Sequence, residues 1–145
     1  MTARLLVLDF DGVCTYNHRE IVSHPIDVTK LENLIRPGVS DLVTAAQDAG
    51  VIVAILSNDL PSSWIGELDI LKQVDHVFLG SDNGIYKPDR RAFQRCLVVT
   101  GVSPECTVVV DDHVDNVNVA ATLGMTAFLF DDDFVWAPVR EALGV

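Results

Sequence analysis

Five short apolar segments constrain the fold of this chain more than any other feature. None of them alternates polar with apolar residues; they are Arg4–Leu8, Val51–Leu56, Val77–Leu79, Thr107–Val110 and Thr126–Phe130. A strand that is apolar at successive positions is buried on both faces, which is typical of a parallel sheet covered by helices. The pattern therefore predicts a central, mainly parallel, five-stranded sheet.

Stretches of helical length separate the apolar segments. We predict helices over Val39–Ala49, Ser62–Val74, Asp89–Thr100, Val114–Leu123 and Val135–Leu143. Asp89 is a suitable N-cap, and Gly50, Gly101 and Gly124 stand where three of these helices stop. Strands that alternate with helices form right-handed β-α-β units, so the expected fold class is α/β, a three-layer α/β/α sandwich.

The composition is that of a folded, acidic protein. Its 145 residues suit a single domain over 1–145, and 49% of them are hydrophobic, which excludes a disordered chain. A net charge of −11 argues against nucleic acid and membrane surfaces as partners, because both need a basic protein surface. No apolar run reaches the roughly 20 residues of a membrane span, and no signal peptide is evident. The three cysteines form no C-x-x-C pair, so we expect a reduced, cytoplasmic setting.

Polar residues follow three of the predicted strands at the point where each strand ends. They are Asp9, Asp11, Ser57, Asn58, Asp111 and Asp112. The carboxyl ends of parallel strands meet at one edge of a sheet, where open α/β sheets bind ligands. Four carboxylates in one cleft repel one another, and a hard divalent cation such as Mg²⁺ relieves that repulsion. Lys87 precedes a predicted helix and can bring an ammonium to the same edge, so magnesium-assisted phosphoryl transfer fits the set.

Four short motifs occur in a fixed order along the chain. The first is Leu8–Val13, similar to D-x-D-G-V, and the second is Leu56–Asn58, a strand that ends in serine. The third is Lys87–Asp89, and the fourth is Val110–Asp112 with Asn116, Ala120 and Gly124 behind it. Together they resemble the motifs of the haloacid-dehalogenase-like (HAD) hydrolase superfamily, and the resemblance spans nearly the whole chain.

The resemblance implies catalytic roles for the first motif. Asp9 would be the nucleophile that forms an aspartyl-phosphate and would also bind Mg²⁺. Asp11 would be the general acid and base, and its backbone carbonyl would be a further metal ligand.

The resemblance also implies roles for the later motifs. Ser57 and the backbone N–H of Asn58 would hydrogen-bond the phosphoryl group of the substrate. Lys87 would stabilise the phosphoryl charge and orient the nucleophile. Asp112 matches the direct metal ligand, whereas Asp111 would either bind the metal or act through water.

Asp11 narrows the expected reaction. Family members that dehalogenate or cleave phosphonates generally lack an aspartate at this position, whereas phosphatases and phosphomutases keep it. We therefore predict a phosphate-ester hydrolase that acts on a phosphorylated small molecule or a phosphoprotein. The connection over residues 12–36 is too short for a helical cap domain, so the chain resembles capless members that carry only a flap there. Their cleft is open, and a second copy of the chain in a homo-oligomer could cover it.

Several alternatives stay open on the sequence. A receiver-like phospho-accepting domain uses similar residues, but there the Lys-Pro pair comes near the end, whereas Lys87 precedes Asp111 here. A non-catalytic binding or assembly role, or another reaction such as dehalogenation or phosphotransfer, also fits the motifs. Within the flap, His18, Arg19 and His24 are candidates for contact with the leaving group, with a solvent-exposed role as the alternative.

Overall fold

Five parallel strands form the central sheet of the computed structural model, which describes residues 2–16 and 28–145. They are β1 (Leu5–Leu8), β2 (Ile52–Ser57), β3 (His76–Leu79), β4 (Thr107–Asp111) and β5 (Thr126–Leu129). Their order across the sheet is β3-β2-β1-β4-β5, and every pairing is parallel. The predicted five-stranded sheet is confirmed, with strand bounds within about two residues of those expected.

Helices cover both faces of this sheet. They are α1 (Val28–Glu32), α2 (Val39–Asp48), α3 (Asp69–Gln73), α4 (Arg90–Thr100), α5 (Val114–Thr122) and α6 (Trp136–Leu143). Alternate residues of β1 point to opposite faces: Leu6 and Leu8 join the core cluster that includes α2, α3 and α6, whereas Leu5 and Val7 join the cluster that includes α4 and α5. The predicted three-layer sandwich is therefore confirmed. Within the described ranges, no helix has both the length and the apolar character needed to cross a membrane.

One predicted helix is wrong. Ser62–Val74 does not form a continuous helix but a 3-10 turn over Ser62–Trp64, followed by α3. Gly66 lies between the two pieces, and glycine disfavours a helix interior by about 1 kcal/mol. The apolar spacing of this segment predicted that Leu68 lies within a helix. In the structure Leu68 has an extended backbone, and its side chain is fully buried in the core.

The ends of the long connection after β1 pair with each other. Thr15 and Ile35 form an antiparallel bridge, and the backbone N–H of Arg36 donates to the carbonyl of Cys14 at 2.8 Å. The described part of residues 12–36 contains the short helix α1 and no separate cap domain. The pairing brings Arg36 beside the residues that follow β1.

The strand register brings the sequence motifs to one edge. Leu8, the last residue of β1, lies opposite Ile55 of β2 and Val110 of β4. The next residues along these strands, Asp9 and Asp111 among them, therefore emerge at the same carboxyl edge of the sheet. The backbone N–H of Asp9 donates to the carbonyl of Val110 at 3.0 Å, which extends the ladder by one residue.

Candidate active site

A cleft of about 390 Å³ opens at the carboxyl ends of β1, β2 and β4. The predicted site residues Asp9, Asp11, Ser57, Asn58, Lys87 and Asp112 line it, together with Gly12, Arg36, Asp59, His113, Asn116, Phe130 and Asp131. Asp111 is not a lining residue; it is 1% exposed and is hydrogen-bonded to Lys87 and Asn116, which do line the cleft. The structure therefore gathers the whole set that the strand ends predicted. His18, Arg19 and His24, the flap candidates, lie outside the described residues.

Lys87 is buried between two aspartates at the floor of the cleft. Its Nζ donates to Asp9 Oδ1 at 2.9 Å and to Asp111 Oδ2 at 2.7 Å. These three residues are between 1% and 8% exposed, so little water screens their charges. Buried ions are tolerated only when they are paired and hydrogen-bonded in this way.

The charges at the floor of the cleft do not balance. Burial raises the pKa of Asp9 well above its ordinary value, and the Lys87 ammonium opposes that rise. Burial alone lowers the pKa of Lys87, but the carboxylates of Asp9 and Asp111 together raise it above its ordinary value. One ammonium thus serves two carboxylates, and a third, Asp112, lies nearby. The excess of negative charge suits a further cation.

Asp111 and Asp112 are adjacent in the chain but differ in their surroundings. Both oxygens of Asp111 are occupied: Asn116 Nδ2 donates to each at 3.1 Å, the His113 N–H donates to Oδ1, and Lys87 donates to Oδ2. Asp112 Oδ1 is buried and has no hydrogen-bond partner among residues 2–16 and 28–145; His113 Nε2 lies 3.9 Å from it. Asp112 is therefore the carboxylate of this pair that has an oxygen available for a ligand.

Three carboxylates are placed to hold a metal ion together. One oxygen from each of Asp9, Asp111 and Asp112 lies within 4.8 Å of the other two. Oxygen ligands of this kind suit a hard cation such as Mg²⁺. The unpartnered oxygen of Asp112 supplies an independent reason for a cation here, because a buried carboxylate oxygen without a partner is costly.

The turn after β1 closes tightly against Asp112. Gly12 has a φ of +84°, a left-handed conformation that favours glycine. A Cβ atom at this position would lie 3.0 Å from Asp112 Cγ and would collide with its carboxylate. The same turn presents Asp11 to the cleft, where Thr15 Oγ1 donates to Asp11 Oδ1 at 3.4 Å.

Ser57 and Asn58 end β2 and perform different tasks. Ser57 is buried, and its Oγ accepts the N–H of Leu60 at 3.0 Å. Because that hydroxyl is the acceptor in this contact, its proton is available for a ligand. The Asn58 side chain makes two hydrogen bonds of 2.9 Å with the backbone of Lys87. Asn58 thus fixes the lysine by its side chain, a role that the sequence did not indicate.

Sequence reasoning also missed residues of the outer cleft. Arg36 and Phe130 lie in its wall, and the Arg36 Cζ is 4.6 Å from the centroid of the Phe130 ring. The one signal in the sequence that could have identified Arg36 as a cleft residue was its positive charge at the end of the flap connection. Nothing local linked it to Phe130, which comes from the far end of the chain.

Comparison with known proteins identifies the family. The family model of haloacid dehalogenase-like hydrolases matches residues 16–124. The mouse protein acyl-CoA dehydrogenase family member 10 is 34% identical over 111 residues, which cover 74% of this chain but only 10% of that protein. The chain thus spans about a tenth of the length of this curated relative.

Solved structures share the fold over nearly the whole chain. An uncharacterised protein from Corynebacterium glutamicum has a TM-score of 0.72 and 25% identity, covering 98% of this chain and 96% of its own. A HAD-family enzyme from Bacteroides thetaiotaomicron, solved with magnesium and inorganic phosphate, has a TM-score of 0.71 at 15% identity. It covers 93% of this chain and 98% of its own. At that identity the likeness concerns the fold alone, and the family match carries the assignment: the chain belongs to the haloacid dehalogenase-like hydrolases.

Proposed function

We propose that this protein is a Mg²⁺-dependent phosphate-ester hydrolase that works through a phosphorylated aspartate. The observation that carries the proposal is the buried, unpartnered Oδ1 of Asp112, beside an aspartate that a buried lysine orients. This arrangement provides a cation site and a nucleophile within one cleft. A HAD-family enzyme of this fold was solved with magnesium and inorganic phosphate, so the fold is compatible with these ligands.

Asp9, the backbone carbonyl of Asp11, and Asp112 would hold the metal. When bound, Mg²⁺ neutralises charge on the phosphoryl oxygens and fixes their position against the nucleophile. Asp111 is better suited to positioning than to direct ligation, because Lys87, Asn116 and the His113 N–H already occupy its oxygens. Asp111 thus holds the ammonium of Lys87 toward Asp9.

The chain supplies the groups for the first chemical step. The Asp9 carboxylate attacks phosphorus, and the bond between phosphorus and the leaving oxygen breaks. Asp11 gives its proton to that oxygen, so the alcohol leaves neutral. Lys87, the Ser57 hydroxyl and the Asn58 backbone N–H bind the phosphoryl oxygens, where charge is greatest in the transition state.

The second step regenerates the enzyme. Asp11, now ionised, takes a proton from a water molecule whose oxygen attacks the phosphorus of the aspartyl-phosphate. The bond between phosphorus and the Asp9 oxygen breaks, and inorganic phosphate leaves. The hydroxyl of Thr15 donates to Asp11 Oδ1 and so holds the carboxyl group at the cleft during both steps.

Asp11 is the reason to favour a phosphate ester over an organic halide as the substrate. An alkoxide is a poor leaving group and needs a proton, whereas a halide ion leaves without one. A dehalogenase with a TM-score of 0.71 shares the fold at 16% identity, which bears on the fold and not on the reaction. The substrate would be a phosphorylated small molecule or a phosphoprotein.

Phosphate release tests the proposal directly. We expect the wild-type protein to release phosphate from an aryl phosphate and from phosphorylated metabolites in Mg²⁺, and not in EDTA. Asp9→Asn should lower kcat at least about 10³-fold, because the covalent route is lost. Asp41→Asn, the same change at an exposed aspartate of α2, is the matched control and should keep full activity.

A trapping experiment adds a second measurement. Acid quenching during turnover and digestion should yield a phosphorylated peptide that contains Asp9. Hydroxylamine should release the phosphate from this peptide. Activity in Asp9→Asn close to that of Asp41→Asn, or turnover in EDTA equal to that in Mg²⁺, would contradict the proposal.

A further inference from the structure

Arg36 is the second permanent cation that lines the cleft, and its surroundings differ from those of Lys87. Among the described residues, those that line the cleft include five aspartates but only these two permanent cations. Lys87 is already bonded to two carboxylates at the floor. Arg36 is therefore the cleft-lining cation that is not bonded to the carboxylates at the floor; its ion pair is with Asp133, a mostly exposed residue.

The hydrogen-bonding capacity of Arg36 is largely unfilled. A guanidinium has five N–H donors. In the structure, Nη2 reaches the Gly12 carbonyl only at 3.4 Å, and Nη1 is 3.6 Å from Asp133 Oδ1. The Nε atom is buried and has no hydrogen-bond partner among the described residues. The second of these contacts is longer than a hydrogen bond, and Asp133 is mostly exposed to water.

Two aromatic rings hold the guanidinium in place. The Arg36 Cζ is 4.6 Å from the ring centroid of Tyr16 and 4.6 Å from that of Phe130. Such contacts engage the faces of the guanidinium and leave its N–H groups for ligands. The Arg36 side chain is only 15% exposed, so an anion that reached it would bind with little competition from water.

We propose that Arg36 binds a second anionic group of the substrate, carried on the leaving group beyond the scissile phosphate. The chemistry is that of paired anionic oxygens, which match the planar N–H pairs of a guanidinium. A carboxylate and a second phosphate both present them. The preferred substrates are therefore phosphomonoesters with a carboxylate or a second phosphate. This inference rests on the proposed hydrolase activity at the same cleft.

The experiment compares substrates that differ only in the second charge. A series of carboxyalkyl phosphates of increasing chain length is assayed beside the matching primary amides, with Mg²⁺ present. At the chain length that spans the cleft, we expect kcat/KM for the acid to exceed that for the amide roughly ten-fold or more. Alkyl bisphosphates form a third arm, which shows whether a phosphate serves better than a carboxylate.

Variants then assign that preference to Arg36. Arg36→Gln should bring the acid-to-amide ratio close to one, and Arg36→Lys should keep part of it. Asp133→Asn should raise the ratio, because it removes the carboxylate nearest to the guanidinium. Arg4→Gln, the same loss of charge at an exposed site before β1, is the matched control and should leave the ratio unchanged.

The outcomes separate this inference from the proposed function. A wild-type ratio near one at every chain length overturns the inference, and this result does not depend on whether any variant folds. An Arg36→Gln variant that loses activity equally on acids and amides also overturns it, because a structural role would act in that way. If no phosphate is hydrolysed at all, the hydrolase proposal fails. Calorimetric titration of the acid and amide pair into the wild-type protein and Arg36→Gln then decides the inference by binding alone.

Discussion

The floor of the cleft and its outer wall each keep a cation away from water, but they do so differently. At the floor, Lys87 is bonded to Asp9 and Asp111, and all three are nearly inaccessible. In the wall, Arg36 rests against two aromatic rings and keeps most of its N–H groups without partners. The difference teaches that a buried charge can be fixed by opposite charges or by packing. Only packing against aromatic rings, as at Arg36, leaves N–H groups of the cation available to bind an anionic ligand.

The largest expected effect concerns the floor. Lys87→Met leaves two buried carboxylates without their cation, and loss of one partner of such a network costs about 3–5 kcal/mol. We expect the free energy of unfolding in urea to fall by that amount and turnover to vanish. Lys72→Met is the matched control, because Lys72 contacts Asp69 at 3.2 Å on the surface and should cost less than about 1 kcal/mol. An equal decrease in the free energy of unfolding in the two variants would show that the ion pairs of Lys87 at the floor do not stabilise the fold more than a surface ion pair does.

A second prediction separates the adjacent aspartates. Asp111→Asn weakens the bond to Lys87 inside the protein and should lower the free energy of unfolding by about 1–3 kcal/mol. Asp112→Asn removes a carboxylate with an unpartnered buried oxygen, so in EDTA the unfolding free energy should stay the same or rise. The Mg²⁺ concentration that gives half-maximal activity should instead increase at least roughly ten-fold. Urea unfolding in EDTA and a Mg²⁺ titration measure the two effects. The reverse result would exchange their roles: a lower unfolding free energy for Asp112→Asn, and a higher Mg²⁺ concentration for half-maximal activity in Asp111→Asn.

The smallest expected effect lies two residues from Lys87 in the chain, at the exposed start of α4. Hydrogen bonds from the Arg91 side chain and backbone lower the pKa of Asp89 to about 2. A lowered pKa in the folded state stabilises the protein above the ordinary value of roughly 3.9, and this contribution is lost as the pH falls toward 2. Asp89→Asn keeps a cap but removes the charge. The difference in unfolding midpoint between wild type and variant should therefore be small and should shrink between about pH 5 and about pH 3. A difference that stays constant over that range would mean that the charge of Asp89 is irrelevant to folding.

The sheet could be predicted because its signal is local. Each buried strand is a continuous apolar run, and the aspartates of the first and fourth motifs lie at strand ends, so topology alone brings Asp9 and Asp112 to one edge. The roles assigned to these residues remain predictions, whereas their placement in one cleft is observed.

Other features depend on contacts between distant parts of the chain. The split of the predicted Ser62–Val74 helix follows from the burial of Leu68 with an extended backbone. The guanidinium of Arg36 meets Phe130 only after the sheet has formed. The expected role of the Asn58 backbone toward the substrate stays a prediction, whereas the hydrogen bonds of its side chain with Lys87 were not anticipated. No spacing rule in the sequence carries this information, because each case joins residues from different elements.

The fit of Gly12 against Asp112 has a consequence for how such a chain can diverge. A single added carbon at Gly12 would occupy the space of the Asp112 carboxylate, so the two positions cannot drift independently. By contrast, a Cβ added at Gly66 meets no atom within 4 Å. Gly66 can therefore accept a side chain without a steric clash. At Gly12, where the first and fourth motifs touch, any replacement of the glycine must be matched by a displaced Asp112 carboxylate or by a smaller, uncharged residue at that position.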